Sequence, residues 1–482
     1  SRDLVTGRDF FHCARLNPQG SKIVWIGWDH PNMAWNGTEL WLAEIADSGE
    51  IRSAEKIAGD SSHGICQAQW KNDEQVLFVG ELENWFNLHL WQKGTIKNLA
   101  PMEAEFAAPD WNPGQKHYAI HENTVCASFT DSNGSGFLFL ENEEKFVSPF
   151  RFAAVSRVEP SDDGFFAVVS FPDKAPAIIH LKRDGSFFEI YSSYRLALKP
   201  SQISVPRAIS FPTGDGLEGH AWFYEPMSEA FEGILGEKPP LIVICHGGPT
   251  SSSPGEFRKM IQFWTSRGYS VVDVNYGGSS GFGRQYRERL RGKWGEVDVQ
   301  DCVSAVEALA REGRIDPKRV AIRGGSAGGF TVLTALIFTK GVFCVGASYY
   351  GVSDLELLAS DTHKLEARYL DQLIGPYPEA LDIYKARSPL SNTDRLNCPV
   401  IFFQGSEDNV VPPNQSKLMH EALAKKGIAT ELYVYDGEGH GFRKAETVQH
   451  SLVAEHVFYS KFMGFSPGGY EPLGAPETID HS

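Results

Sequence analysis

The sequence has no apolar run of the length that a membrane-spanning helix requires. Its longest candidate, residues 332–350, is interrupted by Lys340 and Gly341, whereas a spanning helix needs about 18 or more apolar residues with few or no charges. This segment fits a helix, a turn and a strand better. We therefore expect no membrane partner.

Positive charge and phosphate-binding motifs are also scarce. Lys and Arg number 45 against 61 Asp and Glu, so the net charge is -16 at pH 7. Such a surface repels nucleic acid and anionic lipid, although it would attract a basic substrate. Neither of the two glycine-rich stretches described below contains a G-x-G-x-x-G or a G-x-x-x-x-G-K-[ST] sequence. We expect no nucleic-acid partner and no nucleotide site.

Cysteine and histidine lack the spacings of disulfide frameworks and metal sites. The seven cysteines are scattered without a C-x-x-C pair, and the histidines show no H-E-x-x-H pattern. We expect reduced thiols, a location in the cytoplasm or another reducing compartment such as an organelle stroma, and no metal or other cofactor. The chain begins without an initiator Met or an apolar signal core, which favours a processed chain or a fragment.

The chain does have enough apolar material for more than one folded core. Of its 482 residues, 42% are hydrophobic and 12% aromatic, which predicts two or three domains. The first 195 residues alternate short aromatic and β-branched runs with Gly, Asn, Asp and Pro. This rhythm is typical of strands joined by tight turns.

A loose repeat runs through this first region. Leu16, Trp70, Trp111 and Val158 each precede a polar turn and a strand-like run. Their spacings of 54, 41 and 47 residues are close to the roughly 40 to 50 residues of a four-stranded propeller blade. We predict a partial all-β propeller over residues 1–197, with about four blades and a truncated N-terminus. A twisted β-sandwich is the alternative.

After a hinge-like stretch at 198–204, strands alternate with amphipathic helices. This alternation predicts an α/β domain over residues 198–466. The Gly- and Pro-rich residues 467–482 are predicted to form a flexible tail. The strand-like runs of the α/β domain are 205–211, 220–224, 241–245, 270–274, 320–323, 344–349, 400–404 and 431–435.

A glycine-rich stretch at 324–329, Gly-Gly-Ser-Ala-Gly-Gly, joins the fifth of these runs to an apolar, helix-like run. This is the context of a G-x-S-x-G nucleophile elbow, where a strand turns at once into a helix. The turn strains the backbone of the serine, so its neighbours must be small. Ser326 is therefore the predicted nucleophile.

A second copy of the pattern centres on Ser279, within Gly-Gly-Ser-Ser-Gly at 277–281. The segment behind it, RQYRERLRGK, carries too much charge for the buried helix into which an elbow leads. We therefore favour Ser326 over Ser279.

An eight-stranded, mostly parallel sheet with the nucleophile after its fifth strand is the arrangement of the α/β-hydrolase fold. In this fold an acid and then a histidine follow the serine along the chain. Asp408 follows the run VIFFQ, and His440 lies in a glycine-flanked loop behind ELYVY. Glu407 is the alternative acid, and the alternative role for His440 is that of a solvent-exposed loop residue.

The oxyanion that forms on attack requires preorganised backbone N–H groups. One candidate is the amide of Ala327, directly after the nucleophile. The other is the amide of Gly248 in the HGGP turn at 246–249, after the third strand. The glycines of this turn could alternatively serve only to make it tight.

Six segments of the chain together resemble one family. They are HGGPT, NYGGSSGFGRQYRERLRGKWGEVDVQD, RGGSAGGFT, ASYYGVSDL, DNVVPPNQS and GEGHGF, in this order behind the propeller-like region. The chain is similar in them to the prolyl oligopeptidase family of serine peptidases, most closely to its acylaminoacyl-peptidase and dipeptidyl-aminopeptidase-like branch. The resemblance implies a triad of Ser326, Asp408 and His440, and a propeller that caps the active site and excludes folded proteins.

One departure from the family concerns the substrate site. Several members carry an arginine two residues after the catalytic aspartate, where this chain has Val410, which argues against strict prolyl endopeptidase action. Tyr349, Tyr350 and Val352 are candidates to line an apolar specificity pocket that the insertion 353–395 completes. They could equally belong to the core.

The sequence thus predicts a serine peptidase that hydrolyses short peptides near the amino end, of the aminopeptidase, dipeptidyl-peptidase or acylaminoacyl-peptidase type. An esterase or amidase of small acyl compounds would share every site residue. A binding propeller with an inactive hydrolase domain is the third hypothesis. The expected partner is a small peptide, whose amine Glu81 or Glu83 could face. The oligomeric state, a homo-oligomer included, stays open.

Overall fold

A computed structural model describes residues 3–112, 114–142, 144–360 and 362–467 of the chain, so the predicted tail lies outside the described residues except for Pro467. The chain divides into two compact units. The first consists of Ser1–Ala197, Pro254–Phe257 and Ser280–Glu288, and the second of Leu198–Ser253, Arg258–Ser279 and Arg289–Ser482.

Four antiparallel, four-stranded sheets make up the first unit, each built from strands that are consecutive in the chain. This confirms the predicted propeller-like region of about four blades. The strands of the first two sheets are β1 Phe10–Leu16, β2 Lys22–Trp28, β3 Glu39–Ile45, β4 Ile51–Gly59, β5 Ile65–Asn72, β6 Gln75–Gly80, β7 Asn87–Gln92 and β8 Thr95–Asn98. Those of the other two are β9 Tyr118–His121, β10 Thr124–Asp131, β11 Gly134–Glu141, β12 Glu144–Val147, β13 Ala154–Ser161, β14 Gly164–Ser170, β15 Ala177–Lys182 and β16 Phe187–Ser192.

The sequence repeat marks the first strand of three sheets. Leu16, Trp70 and Val158 lie in β1, β5 and β13, whereas Trp111 precedes β9 by several residues. Alternating apolar residues of the third and fourth sheets, including Phe137, form one buried cluster. Because neighbouring sheets pack their apolar side chains together, each repeat of the sequence contains short apolar runs of the length of a strand.

The second unit contains an eight-stranded sheet in the order β17-β18-β20-β19-β21-β22-β23-β24. Pairings from β20 to β24 are parallel, whereas β17–β18 and β18–β20 are antiparallel. The strands are β17 Arg207–Pro212, β18 Glu218–Tyr224, β19 Leu241–Cys245, β20 Ser270–Asn275, β21 Val320–Gly325, β22 Val345–Tyr349, β23 Val400–Gly405 and β24 Thr430–Tyr435. All eight begin and end within two residues of the predicted runs, which confirms the predicted fold class.

The helices follow the strands in alternation. They are α1 Lys259–Thr265, α2 Arg284–Arg287, α3 Val297–Arg311, α4 Ala327–Phe338, α5 Leu355–Ser360, α6 Tyr369–Leu373, α7 Leu381–Arg387, α8 Asn414–Lys425 and α9 Ala445–Met463, with short 3-10 helices at Pro200–Gln202, Glu288–Leu290 and Leu390–Arg395. The strands β19 to β23 are almost wholly buried. This fits parallel strands covered on both faces.

Two short segments that the sequence assigns to the 198–466 domain belong instead to the first unit. The Phe257 N–H donates to the Phe171 carbonyl oxygen at 2.8 Å. Arg287 of the second segment makes two hydrogen bonds to the Glu81 carboxylate, at 2.7 and 2.6 Å. The buried Glu81 carboxylate needs a paired cation, and the charged segment supplies it.

Two further observations bear on the chain's chemistry. Within the ranges described above, no helix combines the length and the apolar character needed to cross a membrane. All seven cysteines are free thiols, and Cys66, Cys126, Cys245 and Cys302 are buried.

Candidate active site

Ser326 occupies a sharp turn between β21 and α4. Its backbone has φ 57° and ψ -125°, a left-handed φ that is strained for any residue with a side chain. The approach of helix to strand requires glycine, because a Cβ on Gly324 would lie 2.5 Å from the Gly328 backbone and one on Gly328 would lie 2.2 Å from the Cys245 carbonyl oxygen. The glycines therefore set the turn that presents Ser326.

Asp408 and His440 are joined by a hydrogen bond. The His440 Nδ1 lies 2.8 Å from the Asp408 Oδ2. The other carboxylate oxygen of Asp408 accepts the N–H groups of Val410 and Val411, both at 2.9 Å. The Gln404 side-chain amide also donates to Oδ2, at 3.3 Å. Four donors thus hold a buried carboxylate in place, and this carboxylate orients the imidazole and favours the tautomer with its proton on Nδ1.

Glu407, the alternative acid, points elsewhere. Its side chain is exposed, whereas Asp408 is buried. The structure therefore favours Asp408 as the partner of His440.

Ser326 and His440 line one open cavity of about 630 Å³. The Tyr350 ring packs against the His440 imidazole at a centroid distance of 4.9 Å. Tyr350 itself has a positive φ of 38°, so the chain accepts strain to bring this ring there. The ring and the Asp408 carboxylate restrict the imidazole from two sides.

The HGGP turn runs along the elbow. A Cβ on Gly247 would lie 3.3 Å from the Gly325 carbonyl oxygen and 3.6 Å from the Ser326 Cβ. Gly248 has φ 118°, a conformation that glycine adopts without strain. Gly248 and Ala327, the two predicted oxyanion donors, line a small pocket together with Ser326.

The His246 side chain holds the HGGP turn against the residues that follow β20. Its ring hydrogen bonds to the Gly247 carbonyl oxygen at 2.8 Å and to the Ser279 hydroxyl at 2.7 Å. It also stacks on Tyr276, whose hydroxyl donates to the His246 carbonyl oxygen at 2.9 Å. Burial lowers the pKa of His246 to about 4, so the imidazole is neutral at pH 7.

This contact explains the second glycine-flanked serine. Ser279 is fully buried, and its hydroxyl oxygen also lies 2.7 Å from the Tyr276 carbonyl oxygen. It is not followed by a buried helix. Ser279 is placed to support the HGGP turn, a role that sequence reasoning missed because the glycine pattern suggested only a nucleophile.

The small pocket beside Ser326 has a volume of about 60 Å³ and mostly apolar walls. Val352 and Val410 are among its lining residues, as are Trp294 and Leu370. Residues of the insertion 353–395 contribute one side of it. No sequence signal pointed to Trp294, because it lies far from the predicted site in a charged segment.

Tyr349 and Tyr350 lie outside this small pocket and line the larger cavity. The Tyr349 side chain is buried, and its hydroxyl donates to the Glu455 carboxylate at 2.6 Å. Arg323 completes the cluster through Nε, 2.8 Å from the same carboxylate. Of the three predicted pocket residues, only Val352 reaches the apolar pocket.

The acids proposed to face a substrate amine lie in the first unit. Glu81 is fully buried and paired with Arg287, whereas Glu83 is exposed. The Glu81 carboxylate can be buried because the Arg287 guanidinium, held in a fixed position, compensates its charge. Over the described residues, no group of three or more His, Cys, Asp or Glu side chains is arranged to hold a metal ion.

Comparison with known proteins gives matches of three kinds. Residues 255–466 match the model of the prolyl oligopeptidase family. Dipeptidyl aminopeptidase BIII of Pseudoxanthomonas mexicana is 27% identical over 70% of this chain and 52% of its own length. The acylamino-acid-releasing enzyme of Arabidopsis thaliana is 28% identical over 64% of this chain and 45% of its own length. The chain thus spans about half the length of these curated relatives.

A solved structure gives a longer match. The puromycin-hydrolyzing peptidase of Mycobacterium tuberculosis superposes with a TM-score of 0.94 at 35% identity, covering 98% of this chain and 72% of its own. Similarity of this extent includes both units.

Proposed function

Because the chain belongs to the prolyl oligopeptidase family of serine-type peptidases, we propose that it hydrolyses short peptides near the amino end through Ser326, His440 and Asp408. The observation that carries the proposal is the hydrogen bond between His440 Nδ1 and Asp408, in a cavity that Ser326 shares. A small peptide is the proposed partner.

With Nδ1 donating to Asp408, the Nε2 of His440 is left to accept the Ser326 proton. Ser326 Oγ then attacks the carbonyl carbon, and the Gly248 and Ala327 amides stabilise the oxyanion. The imidazolium returns its proton to the leaving amine, and an acyl-enzyme forms. Water, activated by the same imidazole, hydrolyses this ester and frees Ser326.

The names of the relatives differ in the amino end that they imply for the substrate, which is free in one case and acylated in the other. Two of the matched proteins are named a dipeptidyl aminopeptidase and an acylamino-acid-releasing enzyme. Aminopeptidase, dipeptidyl-peptidase and acylaminoacyl-peptidase activity share every reacting group, so the side chains around the small pocket decide between them.

The test is a panel of aminoacyl, dipeptidyl and N-acetyl-aminoacyl amides with matched simple esters. We expect amide hydrolysis and fluorophosphonate labelling, both lost in Ser326→Ala and both kept in Ser266→Ala, an exposed serine of the same unit. Hydrolysis of esters alone would establish the esterase alternative. Labelling that persists in Ser326→Ala would overturn the assignment of the nucleophile.

A further inference from the structure

One carboxylate stands in the small apolar pocket beside the proposed nucleophile. Among the described residues that line this pocket, Glu366 is the only acidic or basic side chain. The walls around it are apolar and include Leu370, Leu373 and Val411. An apolar pocket with a single convergent charge is the composition of a site that recognises one charged group and one uncharged side chain.

The backbone holds Glu366 between α5 and α6. Its N–H donates to the His363 carbonyl oxygen at 3.0 Å, and its carbonyl oxygen accepts the Tyr369 N–H at 2.9 Å. Glu366 lines the pocket, and its side chain is 24% exposed. Glu366 is thus positioned by its own turn, and its carboxylate is open to a ligand.

The charge on Glu366 is only weakly compensated by the protein. The imidazole of His363 lies 3.7 Å away and is itself more than half exposed. Arg368, two residues along the chain, pairs with Asp371 at 2.6 Å. Burial raises the pKa of the Glu366 carboxyl, and the imidazoles of His363 and His440 partly oppose this rise. A cation in the pocket would offset the desolvation of this carboxylate.

The lining of the small pocket places Glu366 beside the proposed reacting groups. Glu366 lines the same small pocket as Ser326, Gly248 and Ala327. In a peptide whose carbonyl is held at Ser326, the α-amino group lies two bonds from the carbonyl carbon under attack.

We propose that Glu366 binds the free α-ammonium group of the residue whose carbonyl Ser326 attacks, while the apolar walls hold that residue's side chain. This inference rests on the proposed function and narrows it to an aminopeptidase that removes one residue. An N-acylated residue would place a neutral amide against a partly buried carboxylate, which leaves that charge uncompensated. The specificity is therefore directed against acylated peptides.

The decisive variant is Glu366→Gln, which keeps the shape and removes the charge. On aminoacyl amides with a free amine we expect kcat/KM to fall about 10- to 100-fold, mainly through KM, as for loss of one charge-assisted hydrogen bond. Hydrolysis of the N-acetyl analogues should rise, because the charge that opposes a neutral amide is removed, and fluorophosphonate labelling of Ser326 should persist. Glu366→Asp should restore part of the loss. Glu379→Gln, an exposed acid of the same insertion, is the matched control.

Two outcomes would overturn the inference. Equal losses on free and acetylated substrates would mean that Glu366 only supports the fold. A loss confined to substrates with Lys or Arg side chains would mean that the carboxylate recognises a side-chain cation instead.

A binding measurement separates this inference from the proposed function. Calorimetric titration of Ser326→Ala, with and without Glu366→Gln, uses one dipeptide in its free and acetylated forms. We expect the second substitution to weaken binding of the free form alone, by about tenfold or more. If Ser326→Ala binds the free and the acetylated dipeptide equally, the inference is refuted. If Ser326→Ala prefers the free dipeptide but the wild-type chain hydrolyses neither form, only the catalytic proposal is refuted.

Discussion

Arg323 and Glu455 form a two-point ion pair inside the second unit, with Nε 2.8 Å and Nη2 3.1 Å from the two carboxylate oxygens. Arg323 lies three residues before Ser326 in the chain. The Glu455 carboxylate also accepts a hydrogen bond from the Tyr349 hydroxyl. Both charged side chains are buried. The pair therefore links α9 to the strand that leads into the elbow.

Removal of one partner should be costly. We expect Glu455→Ala to lower the free energy of unfolding by about 3–5 kcal/mol, because it leaves a buried guanidinium uncompensated. Urea denaturation monitored by tryptophan fluorescence measures this change. Lys461→Ala on the same helix breaks the exposed pair with Glu431 and should cost about 1 kcal/mol or less. Equal losses in the two variants would contradict a special role for the buried pair.

Gly328 should not tolerate even one methyl group. Gly328→Ala would place its Cβ 2.2 Å from the Cys245 carbonyl oxygen, so α4 must move away from the sheet. We expect kcat/KM to fall about 100-fold, as for an ångström-scale displacement of a reacting group. Steady-state kinetics test this. Gly233→Ala, where a Cβ meets no atom within 4 Å, should behave as wild type, and full activity in Gly328→Ala would disprove the steric account.

The two acids behind β23 should differ sharply. Asp408→Asn is expected to reduce kcat by about 10⁴-fold while the protein stays folded, because the imidazole loses its orienting carboxylate and favours the wrong tautomer. Glu407→Gln should leave kcat close to wild type, since its side chain is exposed. Reversal of this order would assign the acid to Glu407.

His246 should make the second unit sensitive to acid. Burial lowers its pKa to about 4 from an ordinary 6.5, so below pH 6.5 the unfolded chain binds a proton that the folded chain does not. The stability that His246 contributes is fully present above pH 6.5 and is lost as pH falls to 4, by about 3 kcal/mol in total.

The variant His246→Gln isolates this contribution. Its free energy of unfolding, measured from pH 7.5 to 4, should fall less steeply than that of the wild type. Parallel curves would show that His246 does not titrate between these limits. Arg258, whose positive charge also lowers the pKa of His246, stays charged over this range and affects both proteins alike.

The sequence predicts the second unit closely because its strands are short, apolar and bounded by glycine or polar turns. The runs at 241–245 and 270–274 are buried on both faces, and such strands show themselves by hydrophobicity alone. The nucleophile elbow is equally easy to recognise in the sequence, because its geometry excludes side chains at Gly324 and Gly328. Local steric rules suffice for these features.

Features that depend on distant partners could not be predicted. The charged segment that contains Arg287 is not expected from the sequence to form a buried helix, yet this guanidinium is buried because Glu81 lies opposite. For Tyr349 the sequence leaves a pocket wall and the core as equal alternatives, and only the contact of its hydroxyl with Glu455 places this side chain in the interior. Glu366 had no distinguishing pattern, since its position in the pocket depends on the fold of an irregular insertion. Pairwise contacts of this kind leave no mark on sequence periodicity.

The pairing of Glu81 with Arg287 also bears on how the chain is made. The two residues are 206 positions apart, so a ribosome adding roughly 5–20 residues per second produces the guanidinium about 10–40 seconds after the carboxylate. Until then the nascent first unit holds an acid whose burial has no counter-charge. The first unit can therefore complete its fold only after the ribosome has added Arg287 to the chain.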